Sequence, residues 1–382
     1  MKRILKMIGS MLLGAVIGLT ASALVMTLFT DMTPAEFMTK LQHVKISETA
    51  FVLVLSIVTF IVGLWLNLML HEAGHLVGGL ITGYKFVSFR IFKWTFIRQD
   101  GKLRIKHFSV NGTGGQCLLS PPDGDPTQIP TLLYNMGGIL SGLLCLLIAA
   151  PFFWIIDNPF AKVALSMFCL ADVFILLMNG IPMKVGGICN DAYNQLELRH
   201  PASRRALAIQ LRANAEIQQG TRPCQLPEEW FICDNGDDCY SNSLLLALKV
   251  YHAGWLLDCG RWEEAYSEHQ EIYAHRDKMM GLYIMETACE LIFLSLALGD
   301  TEYAKSLYSD KMKQYIRQYR KVMSSKERVL FAIALCLEQD KEQAKAIYQS
   351  LQTRRDNYLM QGEVESDLAL MQRLAGQEGL AL

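Results

Sequence analysis

The sequence predicts a mainly α protein: a polytopic helical membrane domain with a small membrane-associated β-sheet, followed by a cytoplasmic all-α helical-repeat domain. Three observations carry this reading. Long apolar runs are nearly confined to the part of the 382-residue chain before about residue 182, and most of the charge lies after it. A basic stretch between two of the runs alternates apolar and polar residues. From about Gln195 onward the apolar spacing is that of amphipathic helices, with few prolines.

Crossing a hydrocarbon core takes roughly 20 helical residues. Four runs are long enough: Ile4–Phe29, Ala50–Ile81, Thr131–Ile156 and Phe160–Ile181. The first follows Lys2, Arg3 and Lys6 as a signal peptide would. It is longer than a typical signal core, and no small-residue cleavage site precedes Asp31, so a retained membrane helix is expected. Cytoplasmic segments carry the excess of Lys and Arg. Those three residues place the N-terminus inside, and Lys85, Arg90, Lys93, Arg98, Lys102, Arg104 and Lys106 do the same for the loop after the second run. Four spans return the C-terminal half to that side. The expected protein is integral to the membrane and multi-pass, in a bacterial plasma membrane, with both termini cytoplasmic and the lipid bilayer as a partner. The divisions are 1–49 for the first helix and an extracytoplasmic loop, 50–194 for a membrane core with a hairpin loop at 84–129, and 195–382 for the cytoplasmic helices. In that compartment a disulfide framework among the ten cysteines is not expected; Cys233 and Cys239 flank CDNGDDC, read as a solvated loop with a second metal site as the alternative. A net charge of -1 lacks the basic footprint of a nucleic-acid binder.

The loop strands are KFVSFRIFKW and LRIKHFSV, each alternating as a half-buried strand does. Asp100–Gly101 between them is a hairpin signal. A small amphipathic sheet against the membrane is the expected result, and its edge offers a place for an extended substrate segment.

The second run ends in LNLMLHEAGHLVGGLITG. His71 and His75 are four residues apart, so on a helix they project only about 40° from each other. Two imidazoles on one face can hold one Zn²⁺ ion, and Glu72 beside them can take a proton from a water that the ion activates. A surface helix can carry H-E-x-x-H by chance. Ionisable groups at membrane depth, however, cost about 2.5–3.5 kcal/mol each and rarely persist without a use. Gly74, Gly78 and Gly79 leave room for a neighbouring helix or strand. A catalytic zinc needs a third protein ligand. Asp191, just past the fourth run, is the candidate: Pro182 breaks the helix, and Gly186 and Gly187 allow the chain to fold back. Asp191 can alternatively be read as the cap of a helix starting near Ala192. Asp172 is the rival ligand, about 10 Å deeper if helical.

HEAGH in a membrane helix, followed two spans later by N-x-x-P and an Asp, resembles the site-2 proteases, a family of intramembrane zinc metalloproteases. The resemblance implies that His71, His75 and Asp191 bind zinc and that Glu72 activates water. Asn179 and Pro182 match the family's Asn and Pro, which implies substrate contacts there too. GTGGQCLL, from Gly112 to Leu119, resembles the glycine-pair strand that binds substrate by strand addition, which implies substrate contacts at Gly114, Gly115 and Gln116. MGGILSG, from Met136 to Gly142, looks like the family's Gly-Pro-x-x-Asn segment, with Gly138 in place of Pro and Ser141 in place of Asn. The Pro182–Asp191 spacing is longer than usual, and Ala192 replaces the usual Gly. The likeness covers about Ala50 to Gln195.

In the C-terminal half GRWEEAYSEHQEIY, GDTEYAKSLYSDKM and QDKEQAKAIYQSLQ recur at roughly 40 residues, a longer period than that of the tetratricopeptide repeats they resemble. Ala265, Ala304 and Ala344 are equivalent, with Tyr308 and Tyr348 one turn after the last two. Such solenoids bind peptides or proteins on a concave face, so a cytoplasmic protein partner is one expectation and a plain stabilising bundle the other. The expected function is therefore a zinc metalloendopeptidase that cuts a membrane-protein or peptide substrate (a regulator, a signal-peptide remnant or a peptide precursor) in or near a membrane span. The alternative is a non-catalytic membrane adaptor. A transporter would show repeated bundles of spans, which this chain does not.

Overall fold

A computed structural model describes residues 46–99, 102–108, 114–185, 188–233, 236 and 238–382. The first apolar run, Ile4–Phe29, lies outside the described residues, as do Asp100, Gly101, Gly112, Gly186 and Gly187. The described chain is mainly helical. Its first part holds three helices long and apolar enough to cross a membrane: α1 (Ile46–Ile81), α2 (Leu132–Ala149) continued by a short α3 (Phe152–Ile155), and α4 (Pro159–Gly180). Their apolar side chains stay largely uncovered by protein; Ile61, Leu147 and Trp154 are among the exposed ones. That surface is costly in water and at home in hydrocarbon.

Packing divides the chain into two units. In one, made of residues up to Val62 and Phe153–Phe168, Phe51 meets Phe160 edge to face at 5.1 Å. The other holds Gly63–Phe152 and Cys169–Leu382. Here the last turns of α1 cross α2 on glycine: a Cβ at Gly74 would collide with the Gly137 carbonyl, and one at Gly78 with that of Leu133. Only hydrogen side chains permit this approach. The helix stops at Gly83, in the left-handed region at φ 87°, where Tyr84 N–H donates back to the Gly79 carbonyl.

The sheet follows at once: β1 (Lys85–Ile91), β2 (Trp94–Gln99), β3 (Lys102–His107) and β4 (Gly115–Ser120), antiparallel in the order β3-β2-β1-β4. The expected single strand KFVSFRIFKW is two strands. Ile91 pairs with Trp94 across a turn at Phe92–Lys93, with Phe92 at φ 51°. No Gly, Asn or Asp marks this turn, so the alternation ran through it unbroken. The hairpin expected at Asp100–Gly101 is there in its flanks, where Gln99 pairs with Lys102.

After α4 come the short strands β5 (Lys184–Val185) and β6 (Ile188–Cys189), then α5 (Asp191–Glu197) and α6 (Pro201–Gln219). Pro201 opens α6 at the position where a missing N–H costs nothing. One face of α6 lies on the sheet, Leu207, Leu211 and Ala215 against Tyr84, Val87, Cys117 and Leu119. Arg212 donates to the Pro122 carbonyl at 2.8 Å.

The rest is helical: α7 (Asp238–Ser241), α8 (Ser243–Asp258), α9 (Trp262–Ala274), α10 (Gly281–Ala297), α11 (Thr301–Leu307), α12 (Asp310–Tyr319), α13 (Ser325–Ala332), α14 (Lys341–Arg354) and α15 (Gln361–Gln377). Consecutive helices pack as pairs, α8 with α9, α10 with α11, and α13 with α14. Ala265, Ala304 and Ala344 sit on the second helix of each pair, fully buried where a larger residue would force the pair apart. Asp300 and Asp340 cap α11 and α14 through the backbone of Tyr303 and Gln343. Several buried charges here are paired: Arg328 Nε donates to Asp367 at 2.6 Å and its Nη2 to Glu290 at 2.7 Å, and Lys326 reaches Glu286 at 2.7 Å. Cys233 and Cys239 are disulfide-bonded, against the expectation of free thiols. That expectation came from the assumed compartment alone. The other eight cysteines are free.

Candidate metal centre

His71 and His75 are one turn apart on α1, and their rings meet edge to face. The two Nε2 atoms are 3.1 Å apart. Asp191 brings Oδ2 to 3.0 Å from His71 Nε2 and 3.3 Å from His75 Nε2. Three potential ligand atoms thus surround one point.

The residues fit a tetrahedrally bound divalent ion. Bonds near 2.0–2.1 Å at tetrahedral angles put ligand atoms about 3.3 Å apart. The proton inventory agrees. His75 Nδ1 lies 2.8 Å from the Tyr134 carbonyl, which can only accept, so Nδ1 carries the hydrogen. In the neutral ring, Nε2 then presents a lone pair toward His71 and Asp191. Asp191 Oδ2 is buried and accepts no well-directed hydrogen bond despite its close neighbours. Lone pairs and a carboxylate facing one another repel unless a cation stands between them.

Asp191 reaches the pair because of its neighbour. Asn190 is the N-cap of α5, its Oδ1 accepting from the Tyr193 backbone at 3.0 Å. Its Nδ2 donates to the carbonyls of Met178 and Ile181 at 2.7 and 2.6 Å, tying the end of α4 to the start of α5. Asp191 is the first helical residue, so its side chain is not used as a cap. Asn135 on α2 holds the Asp191 carbonyl at 2.6 Å.

Glu72 is buried beside the two histidines. A Cβ at Gly115 would meet the Glu72 side chain at 2.5 Å, so β4 runs directly against the acid. Gly114 is similarly close to Leu68. Arg90 on β1, itself buried, donates to the Gly115 carbonyl at 3.2 Å and fixes that end of β4. Burial lowers the Arg90 pKa, against the nearby charge of Glu72.

A cleft of about 560 Å³ joins these parts. It is lined by the two histidines, Glu72 and Asp191, by Gly114 just before β4, by Gly115 and Gln116 of β4, and by Asn179 at the end of α4. Pro182 is exposed and not on its wall. Asp172 is buried elsewhere, against Gly142 and Cys145, and is not one of the group. Sequence reasoning did not single out Asn190, Asn135, Arg90 or the Tyr134 carbonyl. Asn190 had a readable signal as an Asn directly before a short helix; the others act through contacts between distant segments.

No protein-family model matches the chain, and no curated protein or solved structure matches it.

Proposed function

We propose that this chain is an intramembrane zinc endopeptidase of site-2 type, hydrolysing a peptide bond in or near a membrane span of its substrate. The observation that supports this best is the convergence of His71, His75 and Asp191 on one point, next to Glu72 and a strand edge, in a single cleft. In this reading the protein is multi-pass with both termini cytoplasmic, and the paired C-terminal helices are tetratricopeptide-like repeats that meet a cytoplasmic partner.

His71 Nε2, His75 Nε2 and Asp191 Oδ2 would hold the ion. Bound zinc supplies Lewis acidity, polarising a carbonyl and lowering the pKa of water. The chain's own residues do the rest. Glu72 takes the proton of the attacking water on its carboxylate and returns it to the leaving amine. β4 lies beside Glu72 and has no strand partner on its outer edge among the described residues. An unwound substrate segment can pair there, with its peptide bond drawn toward the acid. Extension is required because a helix keeps its carbonyls in internal hydrogen bonds.

The test is cleavage of single-span membrane proteins co-reconstituted in liposomes. Glu72→Gln is expected to lower the rate by roughly 10²–10⁴-fold while leaving the fold and bound metal unchanged. Cleavage that persists in the Gln variant would exclude Glu72 as the base. A wild type that holds no metal and cuts nothing would leave the adaptor reading.

A further inference from the structure

The C-terminal helices line a second, half-open cavity, of about 430 Å³, remote in the sequence from the metal ligands. Its walls come from α6, α8, α10 and α15, and from Arg328 on α13. That volume is within the usual range of about 300–1,000 Å³ for small-ligand sites. Much of the lining is apolar, including Val250, Leu257, Met280, Leu282 and Tyr283.

The polar part of the lining is incompletely satisfied. His269 is 1% exposed, and neither ring nitrogen has a hydrogen-bond partner. Thr287 Oγ1 and Arg328 Nη1 are likewise buried without a partner. Buried polar groups in native proteins are nearly always paired, so three on one cavity point to a ligand that pairs them.

Charge specifies that ligand further. Four carboxylates line the cavity: Glu286, Glu290, Glu363 and Asp367. Three have cationic partners, Glu286 with Lys326, and Glu290 and Asp367 with Arg328. Glu363 has no ion pair or hydrogen bond among the described residues. It faces Asp367 on its own helix, Glu286 and Glu290 on α10, and Lys326 on α13, so acids outnumber bases around it. Burial, then the neighbouring acids, push its carboxyl up to about 8.

We propose that this cavity is a binding site for a short apolar peptide whose free amino terminus pairs with Glu363. The ammonium group supplies the missing cation. The first peptide carbonyl supplies an acceptor for the orphaned donors of Arg328 and Thr287, which a simple amine lacks. Apolar side chains fill the remainder. The site is independent of the metal centre. α6 nevertheless serves both cavities, with Gln210, Asn214 and Ile217 on this one and Leu207 on the catalytic cleft.

The test is equilibrium binding of labelled Leu-Ala-Leu amide to the full-length protein in nanodiscs, beside its N-acetyl form and with 3-methylbutylamine as competitor. Saturable binding is expected for the free peptide, with the acetylated form weaker by roughly tenfold or more, as for loss of a charged hydrogen bond. Glu363→Gln should abolish that difference. Gly254→Leu is a second variant, because a Cβ at Gly254 meets nothing within 4 Å, so the side chain enters the cavity without backbone strain. It should remove binding while the melting temperature is kept. Equal binding of the acetylated form, indifference to both substitutions, or no saturable binding would overturn the proposal. Full competition by 3-methylbutylamine at the peptide's own affinity would overturn the peptide assignment and leave a small amine as the ligand.

Discussion

Two glycines and one glutamate show how single residues set the chemistry. Gly138 on α2 lies so close to the His71 imidazole that any Cβ there would strike the ring. Gly138→Ala is therefore expected to tilt His71 and lower zinc affinity by roughly tenfold or more, the scale of changes that disturb ligand orientation. Titration with a competing chelator measures this, and unchanged affinity would mean the ring can give way. Gly115 stands in the same relation to Glu72. Glu363 has a folded-state value of about 8, above the ordinary 4.5 of an unfolded glutamate. The folded state then binds a proton that the unfolded chain releases, so stability is fully present below about pH 4.5 and is lost as the pH climbs to about 8. Glu363→Gln should melt like wild type near pH 4.5 and at higher temperature near pH 8. Parallel pH curves for the two proteins would contradict a Glu363 carboxyl raised by its surroundings.

The centre depends on how elements end and cross. α1 carries two ligands, but the third arrives only because Asn190 ties the last turn of α4 to the first of α5. Asn190→Ala removes that cap and both tethers. It is expected to cost about 1 kcal/mol as a lost cap, and to weaken zinc binding more than the loss of stability alone would. Differential scanning calorimetry with and without metal separates the two effects. At this scale the sequence was legible where one local signal sufficed. The apolar runs marked α1, α2 and α4, and the recurring alanines marked the tight positions of the paired helices. The turn at Phe92–Lys93 was not legible, because Phe92 adopts a left-handed backbone without a turn-forming residue type. The Cys233–Cys239 bond was not legible, because the expectation for these cysteines rested on the compartment alone. The role of Arg90 in anchoring Gly115 depends on two strands 25 residues apart, which no local pattern reports.

Across the whole molecule, the helical C-terminal half does not hang free of the part that carries His71, His75 and the sheet. α6 backs the sheet with Leu207, Leu211 and Ala215, and Lys106 of β3 donates to the Tyr358 carbonyl in the link before α15 at 2.8 Å. Contacts of this kind give the C-terminal helices a physical route to the strand beside Glu72. The pairing of His71 and His75 was readable from a four-residue spacing and the preference for Asp191 over Asp172 from depth along the span; the fold brings the Asp191 carboxylate to the imidazoles and buries Asp172 against Gly142.

The most direct test of this account is zinc content per chain in detergent-purified protein, comparing wild type with His75→Ala, Asp191→Ala and Asp172→Ala. One ion per chain is predicted for wild type and for Asp172→Ala, and essentially none for the other two. Wild-type protein that stays metal-free when zinc is supplied, or an Asp191→Ala variant that keeps its full complement, would contradict the proposed centre.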